Sequence, residues 1–203
     1  MRNMTEHYYS KKPVAAHAEA RITVEALGQK LVFETDAGVF AKGGLDYGSR
    51  LLLETLPELS GDVLDLGCGW GAIGIVLAKG NPALQVLQLD INERAVALTK
   101  KNMALNGINN AQALQSDGFA EIAGRMFRAV VCNPPIRAGK AVMYGLFDAA
   151  REHLLPGGSL YLVMRRQHGA ESALRHLLEG YGNGEVLARS KGFWILKAWR
   201  DAE

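Results

Sequence analysis

From about Gly61 to its carboxyl end the chain alternates short apolar runs with segments of helical periodicity. That alternation restricts it to a few architectures, because strands separated by single helices pair in parallel and need helical cover on both faces. Asp62–Leu66, Leu84–Leu89, a weaker Ala111–Leu114, Phe127–Cys132 and Ser159–Met164 read as five strands. Helices are expected over Ala72–Lys79, Glu93–Leu105, Ala141–Leu154 and His168–Leu178. Asn106-Gly107 would cap the second of these and Pro156-Gly157-Gly158 would stop the third. Gly184–Ser190 and Phe193–Trp199 are separated only by Lys191-Gly192, too little for a helix, so they read as an antiparallel hairpin. The expectation is an α/β fold: a mostly parallel seven-stranded sheet with helices on both faces, closed by that hairpin.

The first 45 residues have another character. Gln29–Glu34 and Gly38–Ala41 look like short strands around Asp36-Ala37-Gly38, and Leu45–Leu56 like a helix entering the first sheet strand. The expected organisation is an N-terminal extension, 1–45, packed on a domain spanning 46–203. No apolar run approaches the roughly 20 residues of a membrane span. The N-terminus also lacks the apolar centre of a signal peptide, which makes the cytoplasm the expected compartment. Cys68 and Cys132 are the only cysteines and belong to no C-x-x-C pair, so neither a disulfide framework nor a bound metal is expected. A net charge of +2 permits a nucleic-acid partner without requiring one.

Sheets of this kind bind ligands beyond the carboxyl ends of their strands, and the chemistry-bearing residues fall there. Asp65-Leu66-Gly67-Cys68-Gly69-Trp70-Gly71 follows the first strand and opens a helix, with glycines that allow a tight turn and close approach to a ligand. Residues 69–74 satisfy G-x-G-x-x-G, and Asp90 ends the second strand where a ribose-binding carboxylate belongs. A nicotinamide dinucleotide would fit that pattern alone. Asp65 argues otherwise, since a carboxylate there repels a pyrophosphate but holds an ammonium group, directly or through water. Asp117, in Ser116-Asp117-Gly118-Phe119 after the third strand, offers an acceptor for an adenine amino group, with Phe119 for ring contact. An amino-acid nucleoside without phosphates suits the set, and S-adenosylmethionine is that molecule.

The fourth strand ends in Asn133-Pro134-Pro135-Ile136. Each proline fixes its own φ and extends the residue before it, so the loop is rigid. The carbonyls of Asn133 and Pro134 are expected to lack internal donors. With the Asn133 side-chain oxygen they would form acceptors suited to a planar NH2 group.

On these stretches the chain resembles the class I S-adenosylmethionine-dependent methyltransferases, and the resemblance implies their Rossmann-like fold. It also implies cofactor contacts at Asp65, Gly67, Cys68, Gly69, Gly71, Asp90, Ile91, Asp117, Gly118, Phe119 and Asn133, and catalytic roles for Asn133, Pro134, Pro135 and Ile136. The run from Gly38 to Leu53 and that from Asn133 to Lys140 are similar to ribosomal RNA guanine-N2 methyltransferases of the small-subunit type C group, notably its single-domain relatives. This implies methylation of an exocyclic amine, most specifically guanine N2 of ribosomal RNA, with RNA or a ribosomal subunit as partner. Lys42, Arg137 and Lys140 would touch RNA phosphates at the mouth of the site. His7–Lys12, which mixes aromatics with bases, and Arg165-Arg166 suit either RNA contact or an ordinary solvated surface. Methylation of a protein glutamine amide or of a small-molecule amine would use the same acceptors. A non-catalytic module binding S-adenosylmethionine and RNA is the alternative from another class.

Overall fold

The computed structural model describes residues 20–36 and 44–202. Gly38–Ala41, Lys42 and His7–Lys12 lie outside the described residues.

The chain enters through an antiparallel hairpin, β1 (Ala20–Ala26) and β2 (Gln29–Thr35), then α1 (Tyr47–Thr55). There follow β3 (Asp62–Leu66), α2 (Ala72–Gly80), β4 (Gln85–Asp90), α3 (Glu93–Leu105), β5 (Ala111–Gln115) and β6 (Phe127–Cys132). α4 (Lys140–Glu152), β7 (Leu154–Arg165), α5 (Ala170–Tyr181), β8 (Glu185–Ser190) and β9 (Phe193–Trp199) complete it. Seven strands form one sheet in the order β5-β4-β3-β6-β7-β9-β8, parallel except for β9, which runs against both neighbours. The chain winds outward from β3 to β5, then restarts at β6 on the other side of β3. The switch point therefore lies between β3 and β6, and opens a crevice between their carboxyl ends.

Alternate strand residues serve opposite faces. Val63, Val86, Val131 and Val163 pack with α1, α2, α3 and the hairpin, whereas Leu64, Leu87, Val130 and Leu162 pack with α4 and α5. Double cover explains why these strands read as continuous apolar runs rather than alternating ones.

Two elements differ from expectation. The strand paired with β2 is β1, in register from Ala20↔Thr35 to Ala26↔Gln29, and the turn is Leu27-Gly28 with both φ positive, 48° and 72°. And Pro156-Gly157-Gly158 does not stop a helix. α4 has already ended at Glu152, and these residues bulge out of β7, which pairs Leu154 with Phe127 and then Ser159 with Ala129. The bulge is held by Gly157 N–H on the Arg200 carbonyl and Arg200 N–H on the Gly158 carbonyl, both 2.9 Å. Gly158 is obligatory there, because a Cβ would stand 2.9 Å from the Leu155 and Phe127 carbonyl oxygens.

Candidate active site

The carboxyl ends of β3, β4, β5 and β6 surround a cavity of about 350 Å³, a volume typical of small-ligand sites. Its floor is the loop after β3. Gly67, Gly69 and Gly71 adopt φ of 77°, 58° and 89°, and nothing lies within 4 Å of where a Gly67 Cβ would point. Gly67 and Cys68 both donate to the Leu89 carbonyl, at 2.8 and 2.9 Å, which ties the loop to the end of β4. α3 braces it from outside: Thr99 Oγ1 donates to the Gly69 carbonyl (3.0 Å), and Asn102 Nδ2 to that of Trp70 (2.8 Å). Gly71 sits so near Thr99 that a Cβ would lie 2.8 Å from its methyl carbon. It shapes the loop without lining the cavity.

Two carboxylates serve this loop at different depths. Asp90 lines the cavity. Its Oδ2 accepts the Gly69 N–H and its Oδ1 that of Asn92, both at 2.9 Å, leaving further lone pairs toward the cavity. Burial pushes its pKa up to about 6, against the opposing pull of those amides. Asp65 lies beneath the loop. Oδ2 accepts the Gly74 N–H (2.9 Å), while Oδ1 is buried without a hydrogen-bond partner among the described residues. Burial, partly offset by Gly74 and reinforced by Asp90, raises Asp65 to about 7. Two buried carboxylates, one with an unanswered oxygen, leave the cavity short of positive charge. A cationic ligand with ribose hydroxyls, such as S-adenosylmethionine, would answer that deficit.

Ile91 lines the cavity beside Asp90, and Asp117 and Gly118 line the side after β5. Ser116 fixes that turn by donating from Oγ to the Gly118 carbonyl (2.9 Å) and from its backbone to the Asp90 carbonyl (3.0 Å). Phe119 is placed elsewhere: it is buried on the α4 side, stacked on His153 with centroids 4.5 Å apart. Ring contact at this wall is replaced by aliphatic side chains, Leu146 and the exposed Val142 of α4. Burial pushes the thiols of Cys68 and Cys132 well up, so neither is a ready nucleophile.

Asn133, Pro134 and Pro135 line the cavity opposite the glycine loop, across the switch point. One expectation is corrected there. The Pro134 carbonyl does have an internal donor, the Ile136 N–H at 2.9 Å, because Pro135 (φ −75°, ψ 77°) folds the chain into an inverse γ-turn just ahead of a 3-10 turn over Ile136–Ala138. One of its lone pairs is thus engaged. The turn also carries Ile136 against the core under α4, so that Ala138 lines the cavity in its stead. Arg137 and Lys140 are exposed and outside the lining.

Residue types alone did not single out Asp46 and Ser49, yet both line the cavity at the start of α1. Asp46 is the N-cap, accepting the Ser49 N–H at Oδ1 (3.1 Å) and the Ser49 hydroxyl at Oδ2 (2.6 Å). Asn133 Nδ2 donates to Ser49 Oγ at 2.9 Å and approaches Asp46 Oδ2 at 3.4 Å. An acidic cap three residues before a serine was the available signal. Its pairing with a residue 84 positions away left none.

Among the described residues no group of three or more His, Cys, Asp or Glu could hold a metal, and no helix is long and apolar enough to cross a membrane. Residues 30–197 match the family model of the methyltransferase small domain. The chain is 39% identical over 198 residues to the Bacillus subtilis (strain 168) protein YbxB, covering 96% of this chain and 98% of that one. It is 36% identical over 178 residues to the ribosomal RNA small subunit methyltransferase C of Vibrio vulnificus (strain CMCP6), covering 84% of this chain and 50% of that protein. A 16S rRNA N2 methyltransferase of T. thermophilus, solved with AdoMet and guanosine, superposes with a TM-score of 0.82 at 29% identity, over 93% of this chain and 52% of the other. The chain thus spans about half the length of these two ribosomal RNA methyltransferases. Sequence match, strand order and cavity agree, and the chain belongs to the methyltransferase small-domain family, whose methyl donor is S-adenosylmethionine.

Proposed function

We propose that the protein transfers a methyl group to the exocyclic amine of a nucleobase, guanine N2 of ribosomal RNA, in the cytoplasm. The observation that carries this is the Asn133 amide: its NH2 group is committed to Ser49 and Asp46, and the residue lines the cavity opposite the glycine loop, which leaves the side-chain oxygen as the end that can serve the cavity. An acceptor held there suits a substrate N–H.

When bound, S-adenosylmethionine supplies a methyl group already activated on a sulfonium. The protein's task is then to align the nucleophile and to answer the charge that develops on it. Asn133 Oδ1 would accept one N–H of the planar amine, and the second lone pair of the Pro134 carbonyl the other. That arrangement draws the nitrogen lone pair out of the ring and toward the methyl group, and meets the positive charge growing on nitrogen with two fixed dipoles. The proton is acidic only after transfer and can leave to water, so no strong base is required. Asp90 would hold ribose hydroxyls. Asp65, below the loop, would contribute a negative field that favours the cation.

Support for RNA comes from the relatives, and from the far side of α1. There Arg165 lies over Phe193 at 4.6 Å and Lys191 over Tyr47 at 4.7 Å, both cations exposed at the same end of the sheet as the cavity. Labelled S-adenosylmethionine incubated with ribosomal subunits, naked ribosomal RNA and total protein, followed by nucleoside analysis, tests the proposal. Label in N2-methylguanosine is the expected result. Label in protein would replace guanine with a glutamine amide, and label in neither polymer would remove RNA as the substrate.

A further inference from the structure

We infer that Asp46 and Ser49 are positioning residues that set which end of the Asn133 amide faces the cavity, through a hydrogen-bond relay with a fixed polarity. The inference rests on the reading of Asn133 as the acceptor of the substrate amine.

The polarity follows from what each group can donate. As a carboxylate, Asp46 only accepts. Its Oδ1 is occupied by the Ser49 N–H at 3.1 Å, the bond that caps α1, so Oδ2 is the oxygen that meets the Ser49 hydroxyl at 2.6 Å. The single Ser49 proton is spent on that bond. Toward Asn133, Ser49 Oγ therefore presents a lone pair, and only the NH2 end of the amide can face it, at 2.9 Å. The second N–H of the same nitrogen points toward Asp46 Oδ2 at 3.4 Å. A reversed amide would set its oxygen against a lone pair and a carboxylate at once. Oδ1 is thus held toward the cavity, where no donor among the described residues meets it.

The geometry also fixes where this information originates. Ser49 is buried, and its backbone is pinned by the helix it begins. Gly48 between them admits no side chain, because a Cβ would meet the Phe193 ring at 2.9 Å. The start of α1 is therefore clamped between β9 and the loop after β6, and its cap doubles as the anchor for Asn133.

Reversing the polarity tests the relay. In Asp46→Asn the side-chain oxygen keeps the cap, while the amide nitrogen replaces Oδ2 and donates to Ser49. The Ser49 proton then turns to residue 133, and the Asn133 amide flips to present NH2 to the cavity. Volume and fold are preserved. We expect kcat to fall about 100-fold, with the Kd for S-adenosylmethionine unchanged within about twofold. In Asn133→Asp two carboxylates compete for one hydroxyl proton, and activity falls as well. The double variant Asp46→Asn/Asn133→Asp restores a complete chain, running from the new amide through Ser49 to a carboxylate that still offers the cavity an acceptor. It should exceed each single variant by about tenfold or more. Losses that add would overturn the relay.

A second readout does not depend on turnover. The side-chain amide hydrogens of Asn133, identified in a 15N spectrum as the pair missing from Asn133→Asp, should exchange slowly in the wild type and rapidly in Asp46→Asn. Equal exchange rates would overturn the relay. Slow wild-type exchange that becomes rapid in Asp46→Asn, in a protein that methylates no RNA, would uphold it and sink only the proposed substrate.

Discussion

Asp65 and Asp90 are carboxylates whose ionisation the fold resists, and their pH dependence separates folding from cofactor binding. Both have folded-state pKa values above the ordinary 3.8, at about 7 and about 6, chiefly because they are buried. The folded protein therefore holds more protons than the unfolded chain between those limits. The stability those protons contribute is complete below about pH 4 and is lost as pH rises through 6 and 7. Thermal unfolding of the ligand-free protein should accordingly show a midpoint that falls from pH 5 to 7.5, and Asp65→Asn should flatten that slope. A cationic cofactor prefers both groups ionised, so its affinity should move the other way, weakening by up to about tenfold per pH unit as pH drops below 7 and Asp65 takes up its proton, and more steeply below 6 where Asp90 follows. Titration calorimetry across this range checks the sign; affinity that rose on acidification would remove the carboxylates from cofactor binding. Asn133 offers the complementary case. Asn133→Ala should lower kcat by about 100-fold or more, as loss of one preorganised polar group does elsewhere. Its S-adenosylmethionine Kd should stay within a few-fold, because the glycine loop and Asp90 remain intact. A collapse of cofactor binding would mean that Asn133 holds the cofactor rather than the nucleophile.

Among the elements, α3 joins the N-terminal hairpin to the glycine loop. Asn102 is fully buried on it, accepting the Glu34 N–H at 2.7 Å and donating to the Glu34 and Trp70 carbonyls at 2.9 and 2.8 Å. One turn later Asn106 repeats the pattern on Val32, accepting at 3.0 Å and donating at 2.7 Å. Together they satisfy the outer edge of β2, while Phe33 packs edge-to-face on Trp70 of the glycine loop at 4.7 Å. Asn102→Ala strands buried partners on both the hairpin and the loop, and should cost on the order of 2–3 kcal/mol together with cofactor affinity. Asn106→Ala touches only the hairpin edge and α3 itself, so it should cost about 1 kcal/mol and leave the cofactor Kd alone. Chemical denaturation and calorimetry on the two variants distinguish these outcomes. The same elements show what the sequence made legible. Glu93–Leu105, Phe127–Cys132 and Phe193–Trp199 stand where expected, because a capped helix and doubly covered strands carry their pattern locally. β1 was not legible, since its partner-facing pattern is half polar and its turn uses Leu27 at positive φ instead of the Asn-Gly pair that marks such hairpins. Pro156-Gly157-Gly158 read as a stop signal because a bulge and a helix terminus draw on the same residues; only the register against β6 tells them apart.

At the scale of the whole molecule, strand order decides which surfaces meet one substrate. β7 and β8 run parallel to β6, and β9 runs against them. Arg165 at the end of β7, Phe193 at the start of β9 and the Lys191-Gly192 turn therefore share the cavity's end of the sheet. They flank α1 on the side away from the glycine loop, and Tyr47 bridges to them through its hydroxyl and Ser190 Oγ at 2.7 Å. An RNA strand delivering a base to Asn133 would cross this flank, where aromatic faces carry exposed cations. Arg166 is the less available neighbour, paired with Glu171 at 3.0 Å. With a net charge of only +2, the protein has no diffuse basic field to attract RNA, so local contacts must supply the salt dependence. Arg165→Gln/Lys191→Gln should therefore raise KM for the RNA while leaving kcat at saturation and the S-adenosylmethionine Kd in place. It should also flatten the dependence of log K on log salt by about 1.4, two phosphate contacts at roughly 0.7 each for single strands. An unchanged salt slope with normal KM would place the RNA elsewhere, and a fall in kcat alone would mean that the pair acts on α1 rather than on the substrate.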